Sequence, residues 1–561
     1  MFVVVSAIIV AVLGRVALLQ TGQGTTFVDF GSQQRTRDEV LIADRGVIFD
    51  RDGQQLVMTV PATTIFADPK LITDPAGTAA ALATTLGFTP VGYEHLLKDL
   101  TKDKDFVFVA REIDDQAAKA VKALGLKGIG SYDEPTRMYP AGDVAKSILG
   151  RANVDGDGIA GLEKQYDDLL KGTNGTTVRE LDTHGRSIPT GKRVTQAPVA
   201  GEDLRLTISR PLQYQAEQAL VEKVTALKAR GGQAIVMATK TGEMLALANV
   251  KRDPLTGETT VSSANMAAVE ANEPGSVAKV ITIAAAINEG TVKRDSYFQV
   301  PGSMKFDGGI ILRDAHPHGT EDMSVEKILG ASSNLGTYKI MQTIGVAKHE
   351  EYMRAFGLGT VTGLGFPDEQ KGIVHDSAKY RGTEAVTVAW GQGVSSTALQ
   401  LVSAVNVIAN GGTYVAPKLI KSIIDRGGKM VDTPPSATHP VISKSAADEM
   451  TTMMETVVCK GTGKAARVPP YSVAGKTGTS YKAQPNGTYF DANHNHVYFA
   501  SFVGFFPADD PQVTVLVSID EPPFDGDRFG GVTAAPVFTE IARAAINQLR
   551  IAPPVTGGCH N

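Results

Sequence analysis

The stretch Pro274-Gly275-Ser276-Val277-Ala278-Lys279 runs directly into the apolar residues Val280–Ile287. A helix opening there places Ser276 in its first turn, with Lys279 three residues on and on the same face. A serine hydroxyl is a poor nucleophile until a base takes its proton. A lysine serves as that base only when neutral, a state that burial among apolar neighbours favours. The N-terminal end of such a helix also leaves backbone N–H groups free for a developing oxyanion. An S-x-x-K string is weak by itself, because about one or two arise by chance in a chain of this size. Ser324-Val325-Glu326-Lys327 is such a decoy. It lacks the Pro-Gly lead-in and sets Glu326 beside its lysine, so it reads as a capped helix start.

Two more strings follow Ser276 in order. Ser332-Ser333-Asn334 offers a hydroxyl to relay a proton and an amide to orient a peptide carbonyl, whereas Ser263-Ala264-Asn265 lies on the wrong side of Ser276. Gly475-Lys476-Thr477-Gly478-Thr479-Ser480 follows the strand-like Tyr471–Ala474. It supplies a cation, two hydroxyls and a glycine that admits a close backbone, a combination suited to a substrate carboxylate. The other K-T-G, Lys240-Thr241-Gly242, sits between two β-rich runs and reads as a hairpin turn. S-x-x-K, S-x-N and K-T-G-T in this order and with these flanks are far less probable by chance than any one match.

Around these strings the pattern predicts one long domain after Gly201. Leu204–Ile208, Gln233–Ala238, Glu243–Val250, Val497–Phe506 and Val513–Ile519 read as strands, Leu212–Leu227 and Ala534–Ile551 as helices. Strand runs at both ends with helical sequence between them predict an antiparallel sheet assembled from distant segments and covered by helices. Before Gly201 the chain mixes short amphipathic stretches such as Asp114–Leu124 with Gly and Pro breaks, which predicts an elongated α+β module poor in chemical candidates. There Asp50-Arg51-Asp52-Gly53 is a turn signal and Gln55–Asp68 reads as a strand.

Composition narrows the function classes. The 561 residues are 42 % hydrophobic and 20 % charged, with 55 basic against 60 acidic side chains and a net charge of −5. This is globular chemistry for roughly two to four domains. It lacks the basic footprint that a nucleic-acid partner needs. Cys459 and Cys559 are too few for a thiolate metal site; an oxidising compartment would allow a bridge between them, and two lone buried thiols are the favoured reading. His316-Pro317-His318 and His494-Asn495-His496 have zinc-compatible spacing but lie in polar stretches, and read as solvated loops. Met1–Leu19 is almost wholly apolar and reads as an uncleaved membrane helix, with Arg15 snorkelling to the interface. Arg15, Arg35 and Arg37 follow the apolar run, which by the positive-inside count would keep the rest of the chain inside. The expectation is instead that a basic tail lies upstream of Met1.

At the S-x-x-K, S-x-N and K-T-G-T residues the chain closely resembles the class B penicillin-binding proteins, and within them the division-type FtsI family. The likeness spans most of Arg35–Ile551. It includes Arg45-Gly46-Val47-Ile48-Phe49-Asp50-Arg51, Arg137-Met138-Tyr139-Pro140, Gly161-Leu162-Glu163, Gly391-Gln392-Gly393 and Ala500-Ser501-Phe502-Val503-Gly504-Phe505. The resemblance implies a multidomain α+β protein: a transmembrane anchor over 1–24, a pedestal (dimerisation-type) domain over 25–200, a transpeptidase domain of the serine transpeptidase/β-lactamase type over 201–550, and a tail over 551–561. It implies a peptidoglycan D,D-transpeptidase on the extracytoplasmic side of the cell membrane, without cofactor or metal. Ser276 would be the acylated nucleophile, Lys279 its base, Ser332 the relay to the leaving D-alanine and Asn334 a contact to the donor peptide. Lys476 would complete the polar network, and Thr477, Gly478 and Thr479 would receive the terminal carboxylate. The N–H groups of Ser276 and Thr479 would form the oxyanion hole. The partners implied are peptidoglycan stem peptides, β-lactam antibiotics, a polytopic glycan polymerase met through the anchor and Arg45–Arg51, and other divisome proteins. An elongation-type transpeptidase, a β-lactam hydrolase or sensor, and a catalytically silent scaffold are the alternatives. None of the nearby acidic residues, Glu273, Asp314, Glu321 and Glu384, stands in a pattern that marks a deacylating base.

Overall fold

The computed structural model describes residues 1–21, 36–180, 193–306, 309–523, 527–554 and 558–559. Arg35 and the expected end of the anchor at residue 24 lie outside the described residues. Helix α1 (Phe2–Thr21) carries one charge, Arg15, and its apolar window Phe2–Gln20 is long enough to cross a membrane. At about 1.5 Å per residue a helix of this length matches a hydrocarbon layer of about 30 Å.

The described chain forms two compact units. The first gathers Met1–Gly46, Thr59–Thr136 and Asp168–Glu202. At its centre Thr63–Ala67 pairs antiparallel with both Val107–Ile113 and Ile129–Asp133. Helices Pro75–Leu86, Pro90–Leu100 and Asp115–Ala123 close over a core that includes Ile65, Leu82, Leu96, Leu100 and Val121. Each helix starts where its sequence says it should: Asp74, Thr89 and Asp114 accept backbone N–H groups as N-caps, and Pro75 and Pro90 take the first helical position. The single strand expected over Gln55–Asp68 is two, Gln55–Val60 and Thr63–Ala67. Pro61 between them has no N–H for a ladder.

The second unit takes in Val47–Met58, Arg137–Asp167 and the chain from Asp203 onward. Strands β1 (Gly231–Ala238), β2 (Met244–Arg252), β3 (Thr259–Val261), β4 (Ala474–Tyr481), β5 (Tyr498–Phe506) and β6 (Val513–Asp520) form one sheet in the order β3-β2-β1-β6-β5-β4. Every pairing in it is antiparallel, with Val236 opposite Val515 and Thr477 opposite Phe502. The seven helices used below are α2 (Arg210–Leu227), α3 (Lys279–Asn288), α4 (Val325–Ala331), α5 (Asn334–Gln342), α6 (Ala398–Ala409), α7 (Lys444–Cys459) and α8 (Gly530–Leu549). Side chains alternate across a strand. Val236, Ala246, Phe502 and Val515 therefore share one face, where they pack with Leu220 and Val224 of α2 and Phe538 and Ile541 of α8. The other face meets α6, whose Asn406 bonds Thr514 Oγ1 at 2.7 Å. The expected strand over Leu204–Ile208 is Asp203–Leu206, and it joins a different sheet, between Ile48–Phe49 and Ile420–Ile424.

Several motifs quoted for the resemblance acquire physical roles within this unit. Arg137 and Glu163 form a buried ion pair, with Nη2 to Oε1 at 2.6 Å. Asp50 is fully buried, and its Oδ1 accepts from the N–H groups of Asp52 and Gln54. Arg45, in the first unit, is also buried. Both side chains are therefore turned into the fold.

Two further readings change. Cys459, the last residue of α7, is bonded to Cys559, with their Cα atoms 5.3 Å apart. The thiols are not lone ones; core size and composition carry no sign that the tail returns to α7. His316 and His494 are exposed, but their neighbours are not simply solvated. His318 bonds Asp314, and the His496 ring stacks on Tyr481 at 4.2 Å.

Candidate active site

Gly275–Ala278 forms one 3₁₀ turn and α3 begins at Lys279. With three residues per turn, positions i and i+3 line up, so the expected shared face of Ser276 and Lys279 is met by a tighter turn than an α-helix. The turn is wedged in place. Gly275 has φ +54°, and a Cβ there would lie 3.1 Å from the Thr479 carbonyl oxygen; a Cβ on Gly391 would lie 2.4 Å from the Gly275 carbonyl oxygen. The Gly391 carbonyl in turn accepts the Gly275 N–H at 3.2 Å.

Behind this turn lie two lysines with no exposed surface, Lys279 and Lys476. Lys279 Nζ donates to the carbonyl oxygen of Ser332, to Ser332 Oγ at 3.1 Å and to Asn334 Oδ1 at 2.8 Å. None of these bonds goes to Ser276. Lys476 Nζ reaches the same Ser332 Oγ at 3.0 Å and the Thr477 carbonyl at 2.9 Å. Ser332 Oγ is thus shared between two ammonium positions. Loss of hydration drives both lysines toward the neutral form. Lys279 is held well below its ordinary value by burial and then by the neighbouring Lys476, with Asp314 opposing, and burial brings Lys476 down to about 7.

Ser332 owes its position to an unusual backbone. It ends α4 in the left-handed region, at φ 58° and ψ 39°, which turns both its carbonyl and its hydroxyl to Lys279. A non-glycine residue there is strained and needs support from its surroundings. Asp314 supplies it from the neighbouring loop. Its Oδ1 accepts the N–H groups of Asn334 and Leu335 at 2.6 and 2.9 Å, and its Oδ2 accepts Ser333 Oγ at 2.5 Å and faces His318 Nε2 at 3.0 Å. A carboxylate at the N-terminus of α5 is also favoured by the helix dipole. That hydrogen bond raises the His318 pKa.

The K-T-G-T residues lie inside β4, not after a strand ending at Ala474. β4 is the edge of the sheet. An edge strand leaves part of its backbone hydrogen-bonding capacity open to an extended peptide. Gly478 is required by contact: a Cβ would lie 2.3 Å from Ser501 Oγ and 2.9 Å from Val277 Cγ2. Thr477 Oγ1 bonds Thr462 Oγ1 at 2.7 Å, and Thr479 Oγ1 accepts the Gly530 N–H at the start of α8 at 3.1 Å.

All eight predicted site residues, Ser276, Lys279, Ser332, Asn334, Lys476, Thr477, Gly478 and Thr479, fall in this one unit, and hydrogen bonds join Lys279, Ser332, Asn334 and Lys476 directly. The decoys lie in other structures. Ser324 caps α4 by accepting the Lys327 N–H at 3.1 Å, Lys240 sits in the β1–β2 turn, and Asn265 is bonded to Asn249. Thr462 and Gly530 escaped the sequence reading, because their only local signal is a Thr between glycines and a Gly-Gly pair. Asp314 and Glu273 were visible only as unassigned acids.

Comparison with known proteins adds a separate line of evidence. The family model for the penicillin binding protein transpeptidase domain matches residues 232–543, and that for the penicillin-binding protein dimerisation domain matches 41–206. The chain is 32 % identical to the penicillin-binding protein PbpB of Mycolicibacterium smegmatis, over 96 % of this chain and 88 % of that one. It is 30 % identical to the peptidoglycan D,D-transpeptidase FtsI of Escherichia coli, over 96 % and 90 %. The crystal structure of penicillin binding protein 3 from Mycobacterium tuberculosis complexed with aztreonam superposes with a TM-score of 0.70 at 28 % identity, covering 93 % of this chain and 100 % of that one.

Proposed function

The chain belongs to the penicillin-binding protein transpeptidases, and from that premise we propose that its peptidoglycan D,D-transpeptidase activity runs through Ser276. The observation that carries this reading is the pair of buried lysines, Lys279 one turn along from the serine and Lys476 on β4, both bonded to Ser332 Oγ. Ser276 Oγ attacks the carbonyl of the penultimate D-alanine of a stem peptide. Neutral Lys279 takes the hydroxyl proton, and Ser332 Oγ, within reach of both lysines, passes a proton to the departing amine. The Oγ–C ester bond forms as the C–N bond to the terminal D-alanine breaks. An amine of a second stem peptide then attacks the ester carbonyl, gives up its proton to the same network and regenerates Ser276. Backbone N–H groups of Ser276 and Thr479 receive the oxyanion in both steps. Thr477 and Thr479 take the terminal carboxylate, Gly478 lets the donor backbone approach, and Asn334 holds its peptide group.

A β-lactam presents a strained amide in the place of the D-alanyl bond, and the structural neighbour complexed with aztreonam supports β-lactam binding here. We assign 25–200 to the pedestal, 201–550 to the transpeptidase domain and 551–561 to the tail. Likeness to FtsI supports a septal role, with the glycan polymerase and divisome proteins as partners. The apolar helix α1 anchors the chain in the membrane, with the two units outside the cytoplasm. The Cys459–Cys559 bond supports that side, because disulfides persist in oxidising compartments, and it outweighs the charge count around α1.

Incubating the full chain in detergent with a fluorescent penicillin, followed by peptide mapping, tests the assignment. Label is expected on Ser276, lost in Ser276→Ala and kept in Ser324→Ala. Label on Ser324, or full labelling of Ser276→Ala, refutes it.

A further inference from the structure

Glu273 stands three residues before Ser276 and is tied to three other parts of the site. Its main-chain carbonyl accepts Ser480 Oγ of β4 at 2.8 Å. Its Oε1 accepts the Gly393 N–H at 3.0 Å and the Tyr489 hydroxyl at 2.9 Å. One residue therefore joins the nucleophile turn, the end of the K-T-G-T strand, the Gly391–Gly393 loop that buttresses Gly275, and the loop carrying Tyr489. The second carboxyl oxygen, Oε2, is buried and without a hydrogen-bond partner among the described residues.

Ser396 Oγ and Ser518 Oγ are among the other buried atoms in that condition. All three residues line one small cavity between the sheet and the start of α6. Ser518 projects from β6, and Ser396 pairs with Asn272, the residue before Glu273. Buried polar atoms are rarely left bare in folded proteins, and a polar chamber with several unsatisfied groups is where an internal water belongs. The cavity has room for one water molecule. Burial also holds the Glu273 carboxyl above its ordinary pKa.

We propose that Glu273 is the positioning residue of the nucleophile turn, and that one ordered water bound by Glu273 Oε2, Ser396 Oγ and Ser518 Oγ fixes its carboxyl. Glu273 acts through the backbone: it sets where the Pro274-Gly275-Ser276 turn lies against β4 and against the Gly391–Gly393 loop. The inference rests on Ser276 being the acylated serine.

Stopped-flow acylation of the full chain by a fluorescent penicillin separates noncovalent binding from the acylation rate. Glu273→Gln keeps an oxygen for Gly393 and Tyr489 and offers an NH₂ to the chamber, so its rate is expected within about threefold of the parent. Glu273→Ala removes all side-chain ties, and its acylation rate is expected to fall about tenfold or more, with noncovalent binding changed by less than about threefold. A Glu273→Ala rate equal to the parent, or a Glu273→Gln loss as large as that of Glu273→Ala, overturns the proposal. Should Glu273→Ala not fold, a high-resolution crystal structure of the unaltered protein decides: a water bonded to all three oxygens supports the proposal and a dry chamber overturns it. Label mapping on the parent runs alongside, so that failure of the Ser276 assignment is seen separately.

Discussion

Lys476 sets the stability of the fold against the catalytic role proposed for it. Its ammonium is fully buried, and desolvation lowers its pKa from 10.5 to about 7. In the unfolded chain the group stays charged up to 10.5, so between the two values the folded state binds fewer protons than the unfolded one. Stability therefore rises with pH across that window, and the whole cost stands below pH 7. At about 1.4 kcal/mol per unit, a depression of this size costs about 5 kcal/mol at low pH and about 4 kcal/mol at pH 7. Lys476→Met removes that cost and also the bonds to Ser332 Oγ and the Thr477 carbonyl. Leaving those acceptors short of a donor returns about 1–3 kcal/mol. The variant is therefore expected to be inactive yet more stable by about 1–4 kcal/mol at pH 6–7, an advantage that vanishes and reverses toward pH 10. Thermal unfolding of the full chain at fixed scan rate, followed by circular dichroism from pH 6 to pH 10, measures the crossing. A melting-temperature difference that does not vary with pH, or a parent that is the more stable at pH 6, refutes the reasoning. The same variant should let the Lys279 pKa climb, since the Lys476 charge is the second cause of its depression.

Opening the Cys459–Cys559 bond frees a loop with a sequence separation of 100 residues, for which chain entropy sets a loss of up to about 4–5 kcal/mol. Cys559→Ser should melt lower than the parent and resemble the parent in reductant; equal melting temperatures in all three samples count against a structural role. Glu217 in α2 is a buried carboxyl raised by desolvation to about 7, so the native state binds the extra proton and stability falls as pH rises from 4.5 to 7. Glu217→Gln should gain up to about 3 kcal/mol over the parent above pH 7 and little below pH 4.5, and a constant difference across that range would discount the buried charge. Finally, Asp314 has its oxygens filled by Ser333, Asn334, Leu335 and His318. It is not free to activate water, so the penicillin adduct should persist for many minutes by mass spectrometry; its loss within seconds would place the chain among the hydrolases.

What was legible in the sequence was whatever depends on short range. The 3.6-residue and two-residue periods marked α2, α8 and the strands β1, β2, β5 and β6, each within a few residues of its observed limits. The three motifs could be sorted from their decoys because the decoys had local explanations, as the Ser324 cap shows. Long-range closure was not legible. Nothing near Cys559 signals that the tail returns to α7, and nothing near Asp314 signals that its carboxylate crowns α5, 20 residues on. Pro61 was readable in principle: its missing N–H argues against one strand over Gln55–Asp68, and the alternation there outweighed it wrongly.

Several places where local rules break lie close together. In much of the second unit caps, periods and packing agree, with exceptions such as Pro536 inside α8 and the buried Glu217 of α2, and agreement of that kind makes a fold stable without further help. Around Ser276 it fails repeatedly: two lysines are buried, Ser332 holds a left-handed backbone, and the Glu273 carboxyl keeps one oxygen bare. Each is unfavourable by itself, and each is held by rigid neighbours: β4 at the sheet edge, the capped helix α5 and the wedge of glycines at 275, 391 and 478. The chemistry explains why this arrangement is kept. A lysine that is neutral near pH 7 requires removal from water, and removal from water requires a site too stiff to let the ammonium swing out. The sheet and its two layers of helices provide that stiffness, so stability gained across the domain is what allows buried lysines to persist in the strained surroundings of Ser276.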